Sequence, residues 1–560
     1  MTPSGYPVPP RLLWVLLWAL LMAVAVWTRP FLPVDETRYL AVAWEMWRDG
    51  NFLVPHLNGE TYSHKPPLLF WLMNLGWAAF GLNDWWPRLA APLFGLGSLY
   101  LTAALARTLW PDREDIAAAG PTILLGCIFW TLFTPLTMFD MMLALFAVLG
   151  LLGILRAWQG QRWTGFGLLA IAIALGVLAK GPAILLHVLP AALLAPVWGA
   201  SRPQNHRPLG LRSWYLAILA ATLVGAALAL AWAIPAAIAG GDAYAEEIFW
   251  GQSAGRMVKS FAHAKPWWWY LTVTPPLVLP WLIWPAVWKA IGGRAAWQNH
   301  QGLRQALEDP GIKFCLAWFV PVFVTFSLIS GKQLHYLLPI FPALALMLAF
   351  LLADTTALRQ RIPIALFIVL SGIVLLAPIL DGALDGVIRL PEQIKDLAQN
   401  WMILLLVLSI VAFVIPRRTL GSALTVLTVL SCTLVISVHL TLKPLLDKAY
   451  DLTPLAHELA RLEAQGFPLA HVSKYHGQFH FMGRLKNPIA VIGQDNDSRI
   501  LDWAKQTPKG KVITYQGTIS TTAKPEFIHR FRRVFITIWD RDQILTDPSV
   551  AYRTQRKKSR

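Results

Sequence analysis

Apolar residues run along this chain in uncharged blocks of about 17–25, the length a helix needs to cross the hydrocarbon core of a bilayer. The first block, 12–27, stands between Arg11 and Arg29-Pro30 and carries no small-residue cleavage site, so it reads as a retained signal anchor. Twelve more follow, at about 88–106, 116–135, 137–155, 163–179, 182–199, 213–239, 269–288, 314–330, 334–353, 363–380, 401–415 and 421–441, which predicts thirteen spans. A shorter apolar block, 68–82, is broken by Trp71, Asn74 and Gly76 and reads as an interfacial or re-entrant helix. Leaving it out puts Arg107/Arg113, Arg156/Arg162, Arg202/Arg207/Arg212, Lys289/Arg294/Arg304, Arg359/Arg361 and Arg417/Arg418 on one side, as the positive-inside rule expects of cytoplasmic loops. The N-terminus is then cytoplasmic and the C-terminus external.

Beyond about residue 441 the pattern changes. Charge density becomes ordinary, and short apolar runs at 469–472, 489–492, 511–515 and 534–538 alternate with helical spacing at 454–462 and 498–505. This predicts a membrane domain over 1–441, with a long external loop at 29–67, and an external α/β domain over 442–560. Within the loop, apolar spacing over 39–47, a turn at Asn58-Gly59-Glu60 and the stop at Pro66-Pro67 predict two amphipathic helices lying on the membrane surface.

Composition agrees with a mainly α-helical membrane protein. Of 560 residues 56% are hydrophobic and 14% charged, with a mean hydropathy of +0.50, whereas soluble proteins carry about 25% charged residues. The net charge of +17 lies scattered over short loops without a basic-aromatic groove, which argues for membrane orientation and against nucleic acid. Cys127, Cys315 and Cys432 all fall inside apolar blocks and form neither a disulfide framework nor a zinc pattern.

Against this background a few polar residues stand out, all on the predicted external face. Asp35, Glu36, Arg38 and Tyr39 follow the first span directly, and Lys65 closes the same loop. Asp140 is the one charge between 116 and 155, and a carboxylate there needs a partner. Lys180 and Lys332 occupy short external turns, each beside a glycine. External cations at headgroup depth suit a phosphate-bearing lipid. Plainer readings exist: Asp35 and Asp140 as helix caps, the lysines as snorkelling side chains. His64 and His263, with a carboxylate, are candidate ligands for a divalent ion; no other cofactor is indicated. The aromatic run at Trp267-Trp268-Trp269-Tyr270 reads as an interfacial belt.

Taken together, Asp35-Glu36-Thr37-Arg38-Tyr39, Lys65-Pro66-Pro67, Phe139-Asp140, Ala179-Lys180-Gly181-Pro182 and the run Gly331-Lys332-Gln333-Leu334-His335-Tyr336-Leu337-Leu338-Pro339 resemble bacterial lipid-linked-sugar glycosyltransferases. The resemblance is to the aminoarabinose transferases of lipid A and the wider protein-mannosyltransferase-like group, and it covers most of the chain. It implies the GT-C architecture, with a polyprenyl-phosphate sugar as donor and lipid A or another envelope glycan or protein as acceptor. The reaction would take place at the periplasmic face of the bacterial inner membrane. It also implies roles: Asp35 and Asp140 as catalytic carboxylates, with Glu36, Arg38, Tyr39, Lys65, Lys180, Lys332, His335 and Tyr336 binding substrate. The chain departs from the aminoarabinose transferases at His64, where those carry Glu before Lys-Pro. A flippase for lipid-linked sugars or a protein O-mannosyltransferase-like enzyme are the rival readings. A flippase would place ionisable residues near the bilayer midplane; here they gather at one face.

Overall fold

The computed structural model describes residues 5–199, 209–255, 264–292, 306–355, 360–383, 397–492, 497–519 and 523–551. Among these, nine helices are long and apolar enough to cross a membrane: Pro10–Thr28, Trp86–Leu109, Phe139–Trp158, Arg162–Lys180, Leu211–Gly240, Pro310–Leu328, Leu334–Ala353, Arg361–Pro378 and Leu420–Ala464. The other four predicted spans are shorter or interrupted. Trp401–Val414 is a single short apolar helix. The block at 182–199 divides into Ala183–Leu193 and Ala195–Gly199. The block at 116–135 divides at Cys127, whose extended backbone separates Glu114–Gly126 from Ile128–Phe133. The block at 269–288 is interrupted by Pro275, Pro276 and Pro280, each lacking the N–H that continues a helix. These last two breaks satisfy each other: Ile128 N–H donates to the Leu279 carbonyl at 3.0 Å, and Cys127 Sγ lies 3.0 Å from the Leu277 carbonyl. Broken backbone is tolerated at membrane depth only when its polar groups are met in this way.

Packing divides the chain into two compact units, one of residues 1–27, 63–69 and 83–441, the other of residues 28–62, 70–82 and 442–560. In the first unit, a hairpin of Phe139–Trp158 and Arg162–Lys180 provides the largest helix contact. Gly153 and Gly165 allow its backbones to touch, since a Cβ on Gly153 would lie 2.6 Å from the Gly165 carbonyl. The two helices have 20 and 19 residues, so the beginning of one and the end of the other fall at the same level.

The second unit holds a five-stranded sheet in the order β4-β3-β5-β7-β6: β3 Leu469–Val472, β4 Ala490–Ile492, β5 Lys511–Gln516, β6 Phe527–Phe531 and β7 Val534–Asp540. β4, β3 and β5 are mutually parallel, and β7 is antiparallel to both β5 and β6. Alternate side chains feed two cores. Leu469, Ile513, Ile536 and Ile538 pack with Leu455 and Leu459 of helix Thr453–Ala464 on one face; Ala470, Val472, Val512 and Trp539 pack with Ile500 and Ile544 on the other. The expected α/β domain is present.

This unit also takes in most of the first loop, which the sequence reading assigns to the membrane region. The reason lies in helix Asp35–Asp49, whose buried face finds partners there. Trp44 Nε1 donates to the Leu485 carbonyl at 2.9 Å. Trp77, on helix Leu68–Phe80, stacks on Phe481 with ring centroids 5.2 Å apart. The loop contains one helix, not two. Where a second was expected, β1 His56–Leu57 and β2 Glu60–Thr61 form a small antiparallel hairpin. Asn58 and Gly59 both take positive φ, +58° and +81°, the turn that matches strand twist. Glu45, 1% exposed, accepts from the backbone N–H of both turn residues, while the Asn58 amide exchanges two hydrogen bonds with the Ile489 backbone at 2.8 and 2.9 Å.

Candidate active site

The first unit brings five of the singled-out residues together. Asp140 lies in the first turn of Phe139–Trp158, but the N-cap is Met138 and Asp140 makes no cap hydrogen bond. Its partner is instead Lys180, at the end of the neighbouring helix, with side-chain exposures of 4% and 14%. A carboxylate at a helix N-terminus and an ammonium at a C-terminus each also gain from the helix dipole. Lys180 Nζ stands 4.7 Å from the centroid of the Tyr336 ring, and Lys65 Nζ 5.6 Å from that of Phe139. His335 meets Tyr336 edge-on at 4.9 Å. The charges of Lys180, His335 and Lys65 all act on Asp140. The result is a buried carboxylate inside an array of cations, at the end of an apolar hairpin. Such an array grips one anion internally and can transfer part of that grip to a second, as a phosphoryl group would require.

Lys332 makes other contacts. It is 3% exposed, and its ammonium donates to the backbone carbonyls of Lys265, at 3.0 Å, and Ile329.

The second unit holds the acidic loop. Helix Asp35–Asp49 begins at Asp35 itself, so Asp35 is not its cap; Val34 occupies that position. Its carboxylate, with a side chain 56% exposed, pairs with Arg38 one turn on, and the Tyr39 hydroxyl lies 3.5 Å away. Arg38 in turn lies 5.7 Å from the centroid of the Tyr39 ring. Burial, assisted by the Asp35 charge, raises the Tyr39 hydroxyl well above the ordinary tyrosine range. Glu36 points the other way. It is 4% exposed, pairs with the buried Arg29 and accepts from Leu32 N–H at 2.9 Å, so it shapes the turn that leads to Asp35.

His64 is exposed, and His263 lies outside the described residues. Among the described residues no group of three or more His, Cys, Asp or Glu side chains is placed to hold a metal ion. Two histidines near the clusters escape the sequence reading. His187, within the apolar helix Ala183–Leu193, is fully buried; a polar residue inside an apolar run was the available signal, the same that marks Asp140. His476, in the loop after β3, interacts electrostatically with Arg38 and Asp35, and burial followed by the Arg38 charge holds its pKa below the usual value. Nothing in its sequence neighbourhood announces this.

Residues 64–234 match the family described as dolichyl-phosphate-mannose-protein mannosyltransferase. The chain is 31% identical over 337 residues to undecaprenyl phosphate-alpha-4-amino-4-deoxy-L-arabinose arabinosyl transferase 2 of Pseudomonas fluorescens (strain Pf0-1), a match covering 58% of this chain and 56% of that protein. It is 27% identical over 410 residues to the arabinosyl transferase of the same description from Serratia proteamaculans (strain 568), covering 71% and 70%. Across the first three relatives the matched region spans 56–58% of their length. In structure it is similar to ArnT from Cupriavidus metallidurans, solved bound to undecaprenyl phosphate, with a TM-score of 0.75 at 19% identity over 94% of this chain and 97% of that one. The chain thus shares a multi-pass helical fold with that structure over nearly its whole length, and is similar in sequence to the named arabinosyl transferases over somewhat more than half of theirs.

Proposed function

We propose that this protein is an integral-membrane glycosyltransferase of the bacterial inner membrane. It moves a sugar, with 4-amino-4-deoxy-L-arabinose as the first candidate, from undecaprenyl phosphate to lipid A or another envelope acceptor at the periplasmic face. The observation that carries this reading is the array of Lys65, Lys180, His335 and Tyr336 around the buried Asp140, in a chain whose relatives are named for undecaprenyl-phosphate-linked aminoarabinose.

The chemistry needs three things of the protein. A cationic cradle must hold the donor phosphate and offset the negative charge that grows on it as the glycosyl bond breaks; Lys65 and Lys180 suit this. A carboxylate must orient the acceptor or take its proton; Asp35, the more exposed of the two candidates, is suited to meet an incoming group. Asp140, which is buried, is suited instead to hold Lys180 in place. Tyr336, whose ring faces the Lys180 ammonium, and His335 line the same place and would contact the sugar. Where the acceptor is itself a phosphate little proton abstraction is required, and Asp35 acts chiefly by orientation.

The test is transfer by purified protein supplied with undecaprenyl phosphate-aminoarabinose and lipid A, followed by mass spectrometry. Wild type transfers the sugar, and Asp35→Asn loses about 10²–10⁴-fold in rate. No transfer by folded wild type would overturn the choice of substrates. Full activity in Asp35→Asn would overturn its role.

A further inference from the structure

The run Trp267-Trp268-Trp269-Tyr270 reads from sequence as an interfacial belt, and its first two members fit that reading, with exposures of 63% and 48%. Tyr270 does not. It is 0% exposed, in the first turn of helix Trp269–Leu277, and packs beside Phe323 at 6.3 Å between ring centroids. Phenylalanine would fill the same space. The hydroxyl therefore needs its own reason, since burying one is unfavourable unless it is hydrogen-bonded. Here it is bonded twice to one residue: it donates to the Gln333 carbonyl at 2.8 Å and accepts from the Gln333 N–H at 3.2 Å.

Gln333 is the N-cap of Leu334–Ile340, a 3₁₀ helix of seven residues with no side-chain cap of its own. Such helices seldom exceed three or four residues, and the Tyr270 hydroxyl holds both backbone groups of the residue that starts this one. The Gln333 carbonyl also accepts from the Tyr336 N–H at 3.2 Å, so one oxygen joins the Tyr270 hydroxyl to the backbone of Tyr336. Bonds just ahead tie the same two segments together: Lys265 N–H donates to the Ser330 carbonyl at 3.1 Å, and the Lys332 ammonium to the Lys265 carbonyl at 3.0 Å. The Tyr336 ring, in turn, lies 4.7 Å from the Lys180 ammonium that pairs with Asp140. We infer that Tyr270 is a positioning residue for sugar transfer: its hydroxyl fixes the peptide that carries Tyr336, and through that ring the place of Lys180. The inference rests on the function proposed above, in which Lys180 holds the donor phosphate.

The experiment compares wild type, Tyr270→Phe, Tyr336→Leu and the double variant, purified in detergent and supplied with undecaprenyl phosphate-aminoarabinose and lipid A. Tyr270→Phe removes one oxygen and keeps the ring. Its kcat falls roughly ten- to hundredfold, the penalty of a small misplacement passed to the reacting centre. Tyr336→Leu loses at least as much. The double variant stays within about twofold of Tyr336→Leu, because the hydroxyl then has nothing left to position. A hydroxyl that only supported the fold would slow transfer by one factor in both backgrounds, or in neither; either result overturns the inference, as does a Tyr270→Phe protein that fails to fold. Hydrogen exchange gives a reading that needs no substrate. The Tyr336 amide exchanges faster in Tyr270→Phe, and an unchanged rate overturns the inference whether or not transfer is seen. No transfer by wild type, with the exchange difference present, overturns the proposed function instead, so the two failures are told apart.

Discussion

The pairing of Asp140 with Lys180 can be tested by removing each partner in turn. Lys180→Met keeps the length of the side chain and removes its charge, leaving a carboxylate of 4% side-chain exposure without its direct partner. Breaking a buried ion pair from one side costs about 3–5 kcal/mol. Lys65 and His335 still act on Asp140, so the loss falls at the lower end, about 3 kcal/mol. Asp140→Asn does less harm. The Lys180 side chain is 14% exposed and can turn its ammonium outward, and its place against the Tyr336 ring remains. About 1–2 kcal/mol is expected, close to the worth of one hydrogen bond to a charged group. In the double variant no buried charge is stranded, so its loss should fall short of the summed single losses by about 2 kcal/mol. Reversible unfolding in mixed micelles of the four proteins gives this coupling energy directly. A double-variant loss equal to the sum, within about 0.5 kcal/mol, would refute the claim that these residues neutralise each other.

Two further predictions concern the second unit. Asn58→Ala loses both hydrogen bonds to Ile489 and places a Cβ-bearing residue without a side-chain amide at φ +58°; a loss of about 2–3 kcal/mol is expected. Asn58→Gly, which relieves the backbone term, should lose about 1 kcal/mol less, and a reversed order in chemical unfolding would contradict a left-handed backbone at this position. Burial pushes both His471 and His480 down from 6.5 to about 4, so the unfolded chain takes up protons before the folded unit does. Stability therefore holds above pH 6.5 and falls as the pH drops from 6.5 toward 4, by as much as about 3 kcal/mol for each histidine at about 1.4 kcal/mol per pKa unit. A unit whose unfolding midpoint stays constant across that range would show that the two rings are protonated without cost.

Much of this was legible because membrane burial writes itself into sequence as long uncharged runs. The hairpin 139–180 follows from two such runs of nearly equal length, and that equality puts Asp140 beside Lys180. The strands at 469–472, 511–515 and 534–538 were visible as short apolar alternations; β6 was not, because Phe527-Ile528-His529-Arg530-Phe531 is an edge strand with only half-buried alternate positions. The breaks at Cys127 and Pro280 escaped because each is stabilised by a partner some 150 residues away, and a hydrophobic window sees only neighbours. The turn at Asn58-Gly59 was recognised, but the flanking segments were assigned to helices, since two-residue strands offer no periodicity. Lys332 resembled Lys180 in sequence, as a lysine beside a glycine. The difference lies in the backbone carbonyls that surround it, which no pattern of side chains encodes.

The grouping of the first loop with the C-terminal segment has a practical consequence for anyone building hybrids of this protein with its relatives. Cutting at residue 441 and grafting a foreign C-terminal segment would take Leu485 from Trp44, Phe481 from Trp77 and Ile489 from Asn58, all in one step. The helix that bears Asp35 would keep its own sequence and lose its seat. A graft that preserves function must therefore carry residues 28–62 and 70–82 along with 442–560, three separate stretches inherited as one part.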